Sequence, residues 1–121
     1  MSHKVLIADD EPNIVISLEY LMKREGHVVF VARDGDEALA LARRERPALV
    51  LLDVMMPGKS GLEVCQALRA DEATAGIKVL MLTAKGRDTD LATGLGVGAD
   101  AYMTKPFSTR ALADKVRELL A

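Results

Sequence analysis

Five short apolar runs recur along the chain, and each is followed by a segment whose apolar residues fall at helical spacing. Lys4 to Ala8 is the first run, and Pro12, suited to the first turn of a helix, follows it. Ile14, Val15, Leu18, Leu21 and Met22 then recur at a period near 3.6, and Gly26 closes that helix. Val28 to Ala32 is the second run. Asp34-Gly35 turns the chain, and Ala38, Leu39 and Ala42 mark a second helix that Pro47 stops. Ala48 to Leu52 is apolar at every position, the pattern of a strand buried on both faces, and it ends in Asp53. Met56-Pro57-Gly58 is a turn signal, Gly61 opens a third helix with Leu62, Cys65 and Leu68 on one face, and Gly76 is expected to break it. Ile77 to Leu82 is the fourth run, ending at Thr83, and a fourth helix is expected from about Arg87 to Val97, with Asp88 and Asp90 in its first turn. Ala99 to Thr104 is the fifth run, ending at Lys105-Pro106, and Ser108 is placed to cap a last helix striped by Leu112, Val116, Leu119 and Leu120. Strict alternation of this kind predicts an α/β fold. A parallel sheet is covered by helices on both faces and joined by right-handed crossovers.

The ends of those runs carry the chemistry. Asp9-Asp10 ends the first, Asp53 the third, Thr83 the fourth and Lys105 the fifth. In a parallel sheet these ends lie along one edge, where ligands bind in open α/β folds. Each group has an ordinary reading by itself. A carboxylate pair before a helix is usually a cap, a strand-end Thr belongs to a turn, and a Lys is a solvated charge. Asp53 alone is equally well a solvated strand-end acid or a site residue. Four such groups at one edge favour a site. Three carboxylates brought together repel one another unless a cation intervenes. Mg²⁺ suits one or two carboxylates together with waters and a phosphate. Lys105 would supply a point charge for a phosphate oxygen, and Thr83 a hydroxyl for another. A carboxylate can itself be the nucleophile and form an aspartyl phosphate. Asp53 is the candidate, because its strand lies between the acidic pair and the Thr83–Lys105 ends.

Composition removes several alternatives. A chain of 121 residues, half of them apolar, fits one domain over residues 1–121. Two Tyr, two Phe and no Trp leave an aliphatic core, with the six Met as gap-fillers. The net charge is −2 with both signs interspersed, so no basic run argues for direct nucleic-acid binding. One cysteine permits no internal disulfide and fits a reducing, cytoplasmic setting. No stretch approaches the roughly 18 apolar residues of a membrane span.

Taken together, Asp9-Asp10, LLDVMMPGKSG around Asp53, LMLTA with Thr83 and TKPF with Lys105-Pro106 make the whole chain resemble a response-regulator receiver domain of bacterial two-component signalling. The resemblance implies a single flavodoxin-like, doubly wound (βα)5 domain with strand order 2-1-3-4-5. It implies that Asp53 accepts a phosphoryl group from the phosphohistidine of a histidine kinase or phosphotransfer protein. Asp10, Asp53 and the Met55 carbonyl would ligate Mg²⁺, with Asp9 acting through water. Thr83 and Lys105 would bind the phosphoryl group, Thr83 and Tyr102 would form the switch, and the Lys105–Pro106 peptide bond would be cis. A downstream effector domain or protein would read the face formed by the fourth helix, the fifth strand and the last helix.

Other signals lead nowhere. Gly58-Lys59-Ser60 looks like the end of a P-loop, but Asp53 occupies the position of its first glycine. Gly94, Gly96 and Ala99 match a dinucleotide fingerprint in number only, since they close a helix instead of opening one. Cys65 is expected in the core, and His3 and His27 as isolated surface residues. A haloacid-dehalogenase-type phosphatase would carry an acid two residues after its nucleophile. Met55 stands there, so only slow turnover of the chain's own phosphate is expected. A docking-only receiver would lack one of the five key groups, and none is missing. The sequence ends with the last helix and contains no effector domain, which fits either a single-domain regulator or part of a longer one. The arginine typical of the fourth helix in dimerising relatives is Leu91, and the glutamate typical of the last helix is Ala111. A monomer or a phosphorylation-dependent dimer is therefore expected.

Overall fold

A computed structural model describes residues 2–84 and 98–121. Its elements are β1 (Lys4–Ala8), α1 (Pro12–Arg24), β2 (Val28–Ala32), α2 (Gly35–Glu45), β3 (Leu49–Asp53), α3 (Gly61–Ala70), β4 (Lys78–Ala84), β5 (Ala101–Lys105) and α4 (Thr109–Leu120). The helix expected at 87–97 lies outside the described residues. All four strand pairings are parallel, and the sheet order is β2-β1-β3-β4-β5.

The unbroken apolar run of β3 follows from its central place. Every residue of the strand is buried, and successive side chains point to opposite faces. Val50 and Leu52 enter the core beneath α2 and α3, together with Leu6, Ala8, Val79 and Met81. Leu49 and Leu51 enter the core beneath α1 and α4, together with Val5, Ile7, Leu80 and Leu82. Cys65 lies fully buried in the first of these cores, and burial pushes its thiol pKa up.

The helix ends have local causes. Asp34, Ser60 and Ser108 each accept a hydrogen bond from the backbone N–H three residues on, which caps α2, α3 and α4. Ser60 and Glu63 form a complete capping box. Three elements have boundaries other than the expected ones. α3 stops at Ala70, well before Gly76. The buried Thr74 hydroxyl donates to the Leu68 carbonyl at 2.8 Å, so a side chain meets that orphan carbonyl, and the Ala73 N–H donates to the Asp71 carboxylate at 3.0 Å in the turn that follows. β4 runs on through Thr83 to Ala84, because β5 continues the ladder beside it: Thr83 pairs with Thr104 and Ala84 with Lys105. β5 in turn begins at Ala101 and ends at Lys105, not at Thr104.

The two histidines are not isolated. The β1–β2 register pairs Lys4 with Val28 and so sets His3 beside His27, both half-buried. Their ring centroids are 5.7 Å apart, and the His3 N–H donates to His27 Nδ1 at 3.3 Å. Burial, then the neighbouring His3, hold the His27 pKa below its ordinary 6.5. The unfolded chain therefore takes up this proton before the folded one, and stability falls as pH drops through that value. Between about pH 7 and 5.5 the loss of Tm should be smaller in His27→Asn than in the parent. Equal slopes in the two proteins would remove His27 as the cause.

Candidate functional site

The carboxyl ends of β1, β3 and β5 bring three carboxylates and one ammonium together. By strand alternation Asp9, Asp53 and Lys105 share the face that carries Ile7, Leu51 and Met103. Asp9 is fully buried and Asp53 nearly so. Lys105 Nζ lies 3.0 Å from Asp9 Oδ2, 3.3 Å from Asp53 Oδ1 and 3.0 Å from Glu11 Oε1. Glu11 was not singled out from the sequence, where it reads as a helix-entry acid. It stands 59% exposed above the pair, so it is the solvent-side partner of an ammonium that is otherwise inside. The Glu11 N–H also donates to Asp9 Oδ1 at 2.9 Å, which fixes the Asp9 carboxylate at the entry to α1.

These positions leave Asp53 poorly compensated. Burial first, and then the charge of Asp9, raise its pKa from 3.8 to about 6, against the opposing charge and hydrogen bond of Lys105 and the Met55 N–H. Met55 donates that bond at 3.4 Å from the exposed loop after β3. Burial disfavours the Lys105 ammonium, but its hydrogen bonds to Asp9 and Glu11 and the charges of Asp53 and Asp9 outweigh it, and its pKa rises. Asp10 is exposed, and its carboxylate completes a group with Asp9 and Asp53 whose oxygens all lie within 4.8 Å of one another. An all-oxygen donor set of this size suits a hard divalent cation. The raised Asp53 pKa is a second sign that the set fits one, since a cation would relieve that repulsion.

Thr83 and Tyr102 belong to the other face. Thr83 is buried two residues beyond Met81, and Tyr102, the register partner of Met81, packs against the core beneath α2 and α3. The site thus has an acidic side on one face of the sheet edge and a hydroxyl–aromatic pair on the other. The Lys105–Pro106 peptide bond that follows β5 is cis. A separate groove of about 550 Å³, lined by His3, Glu25, His27, Arg117, Leu120 and Ala121, opens at the opposite edge and has no part in this site.

Comparison with known proteins places this arrangement. A family model for the response regulator receiver domain matches residues 5–117. The alkaline phosphatase synthesis transcriptional regulatory protein PhoP of Bacillus subtilis is 47% identical over 120 residues, which is 99% of this chain and 49% of that protein. The chain therefore spans about half the length of that relative. The chemotaxis response regulator CheY4 of Vibrio cholerae superposes with a TM-score of 0.90 at 32% identity, covering 99% of this chain and 100% of that one. The receiver domain of the sensor histidine kinase PA1611 of Pseudomonas aeruginosa PAO1 gives a TM-score of 0.90 at 25% identity, covering 99% and 98%, and its structure holds a magnesium ion coordinated in the active site cleft.

Proposed function

Since the chain belongs to the response regulator receiver family, we propose that it is a signalling switch that takes a phosphoryl group onto Asp53 from the phosphohistidine of a histidine kinase or phosphotransfer protein. The observation that carries this reading is Asp53 itself, a nearly buried carboxylate with two other acids and one lysine converging on it. An Asp53 carboxylate oxygen attacks phosphorus, the P–N bond to the donor imidazole breaks, and the imidazole leaves with the electron pair and takes up a proton. Asp10, Asp53 and the Met55 carbonyl would hold Mg²⁺, with Asp9 acting through water. Bound there, the ion would neutralise charge on the transferring phosphoryl oxygens. Lys105 exchanges its carboxylate partners for a phosphoryl oxygen, and the Thr83 hydroxyl donates to another.

The reading makes the chain a catalyst of its own phosphorylation and slow dephosphorylation only. Two residues after Asp53 stands Met55, which has no proton to give a leaving group. Among the described residues no helix is long and apolar enough to cross a membrane, and the lone buried thiol fits the reducing cytoplasm, where we place the chain. Similarity to PhoP favours an output in transcription through an effector domain or protein. Coupling would run from Thr83 to Tyr102, which share one face of the sheet edge. Of the expected output face, β5 and α4 are described, and the helix at 87–97 lies outside the described residues.

Acetyl phosphate with Mg²⁺ tests this. The intact mass should rise by one phosphoryl group, the modified peptide should contain Asp53, and EDTA should prevent the gain. In the phosphorylated sample, amide exchange should change across 98–107, and Thr83→Ala should suppress that change. Labelling that survives EDTA or maps to another residue would overturn the assignment. A distal exchange response unaffected by Thr83→Ala would sink the coupling alone.

A further inference from the structure

We propose that Gly35, on α2 and far from Asp53 in sequence, is a positioning residue for the loop that offers the Met55 carbonyl, with Gly61 holding the same loop from its other side. The inference rests on the Mg²⁺ site proposed above. Residues 54–60 leave β3 and return to α3. The Gly61 N–H donates to the Val54 carbonyl at 2.8 Å, so the loop closes on itself at its base. An added Cβ at Gly61 would fall on the Asp53 carbonyl oxygen, and it would lie 2.8 Å from the Asp53 carbonyl carbon and 2.9 Å from Val54 Cα. The helix start can meet the strand end at this distance only without a side chain.

Gly35 does the same at the far side of the loop. It is the first residue of α2 and is buried. An added Cβ there would fall on the Lys59 carbonyl oxygen and sit 2.6 Å from Lys59 Cβ. The Gly35 N–H points at the Pro57 carbonyl, 3.4 Å away. Lys59 Nζ lies 3.7 Å from Asp36 Oδ1 in the same turn of α2. Gly35 does not have the positive φ that singles out glycine elsewhere in the chain. Its requirement is therefore space for a neighbouring backbone, not conformational freedom. The opposing atoms are the Lys59 main chain and the Cβ fixed to it, so none of them can rotate away. A Cβ at Gly35 must push residues 57–59 outward, and Met55 and the base at Asp53 lie on the same short span.

Groups that orient metal ligands without touching the metal typically govern about 10–100-fold in affinity. Gly35→Ala should therefore weaken Mg²⁺ binding about tenfold or more, read by calorimetric titration with no phosphodonor present. Amides 54–60 of the metal-free variant should exchange faster than in the parent. Leu39→Ala, a cavity in the same helix, should lower Tm and leave Mg²⁺ affinity within about twofold, because its packing cost does not reach the loop. Adding Lys59→Gly to Gly35→Ala removes the opposing Cβ and frees the loop backbone, so it should recover part of the affinity. The double variant also covers the case in which Gly35→Ala alone does not fold. Parent-like Mg²⁺ affinity in folded Gly35→Ala would overturn the proposal. So would unfolding of both variants, which would make Gly35 a requirement of the fold itself. A parent protein that binds no Mg²⁺ would instead overturn the functional reading beneath it.

Discussion

Asp53→Asn should end phosphoryl uptake and, in metal-free buffer, make the protein more stable. The side chain is nearly buried, and its pKa is pushed from 3.8 to about 6, chiefly by burial and then by Asp9. That displacement corresponds to roughly 3 kcal/mol of strain in the ionised form. An Asp whose folded pKa lies above its unfolded one contributes stability that is present at low pH and is lost as pH rises through the folded value. At pH 7.5 the loss is complete, and asparagine, which carries no charge, does not suffer it. Lys105 gives up one of its three carboxylate partners in the variant, which offsets about 1 kcal/mol of the gain. A net increase of about 1–3 kcal/mol in unfolding free energy by urea titration with EDTA is expected, closing as pH falls toward about 4. Adding Mg²⁺ should stabilise the parent and leave the variant little changed. A variant less stable than the parent at pH 7.5 would show that Asp53 is not a strained carboxylate.

What the sequence could reveal about this site depends on whether the information is local. The apolar run ending in Asp53 was legible because burial on both faces needs apolar residues at every position, and the core division of Leu49–Leu52 is that same pattern seen in space. Asp9, Thr83 and Lys105 were legible because a parallel sheet puts equivalent strand ends on one edge. Contacts between distant segments that the strand-end rule does not bring together were not legible. Glu11 meets Lys105 across 94 residues, and His3 meets His27 across 24, through pairings that no local spacing encodes. Gly35 and Gly61 read as turn and helix-start punctuation. Their actual constraint is the backbone of Lys59 and Asp53 lying where a Cβ would be. Boundaries slipped for a related reason. Gly76 is the evident breaker, yet the hydroxyl of Thr74, reaching back to Leu68, ends the helix region sooner. Thr83 was expected at a strand end, but β5 extends its ladder by one pair beyond it.

The division of the sheet edge into two faces also bears on signalling. Asp9, Asp53 and Lys105 gather charge on the α1–α4 side, whereas Thr83 and Tyr102 stand over the α2–α3 core. On the proposed function, a phosphoryl group added to Asp53 would act first on Lys105, because ammonium and carboxylate are already within 3.3 Å. In the proposed switch Thr83 would be the step from that face to the other, since its strand runs between those of Asp53 and Tyr102. Lys105 and Tyr102 lie three residues apart on β5. In that switch a change in the Lys105 partners would reach the same strand that carries the aromatic ring.

Lys105→Ala is expected to destabilise the metal-free protein strongly at alkaline pH and to have much less effect in acid. Lys105 is 15% exposed and is the cation between Asp9 and Asp53, whose side chains are 0% and 7% exposed. Removing one member of a buried charge set leaves the others uncompensated, at a cost of about 3–5 kcal/mol when they stay ionised. They need not stay ionised. Without the Lys105 charge and hydrogen bond, the two influences that hold the Asp53 pKa down most are gone, and it rises further above 6. The sign then follows: stability is present while Asp53 is protonated and is lost as pH rises through the new folded value. Urea titrations with EDTA at about pH 5.5 and pH 8 should differ far more in the variant than in the parent. Mg²⁺ at pH 8 should return much of the difference, because a divalent cation among Asp9, Asp10 and Asp53 replaces the missing charge. It should not restore reactivity with acetyl phosphate, which should fall by about a hundredfold, since the ammonium's place on the phosphoryl oxygen stays empty. Lys105→Met, which keeps the aliphatic stem, should behave as Lys105→Ala does. A pH-independent loss common to both, or one that Met repairs, would mean that Lys105 acts through packing and not through its charge.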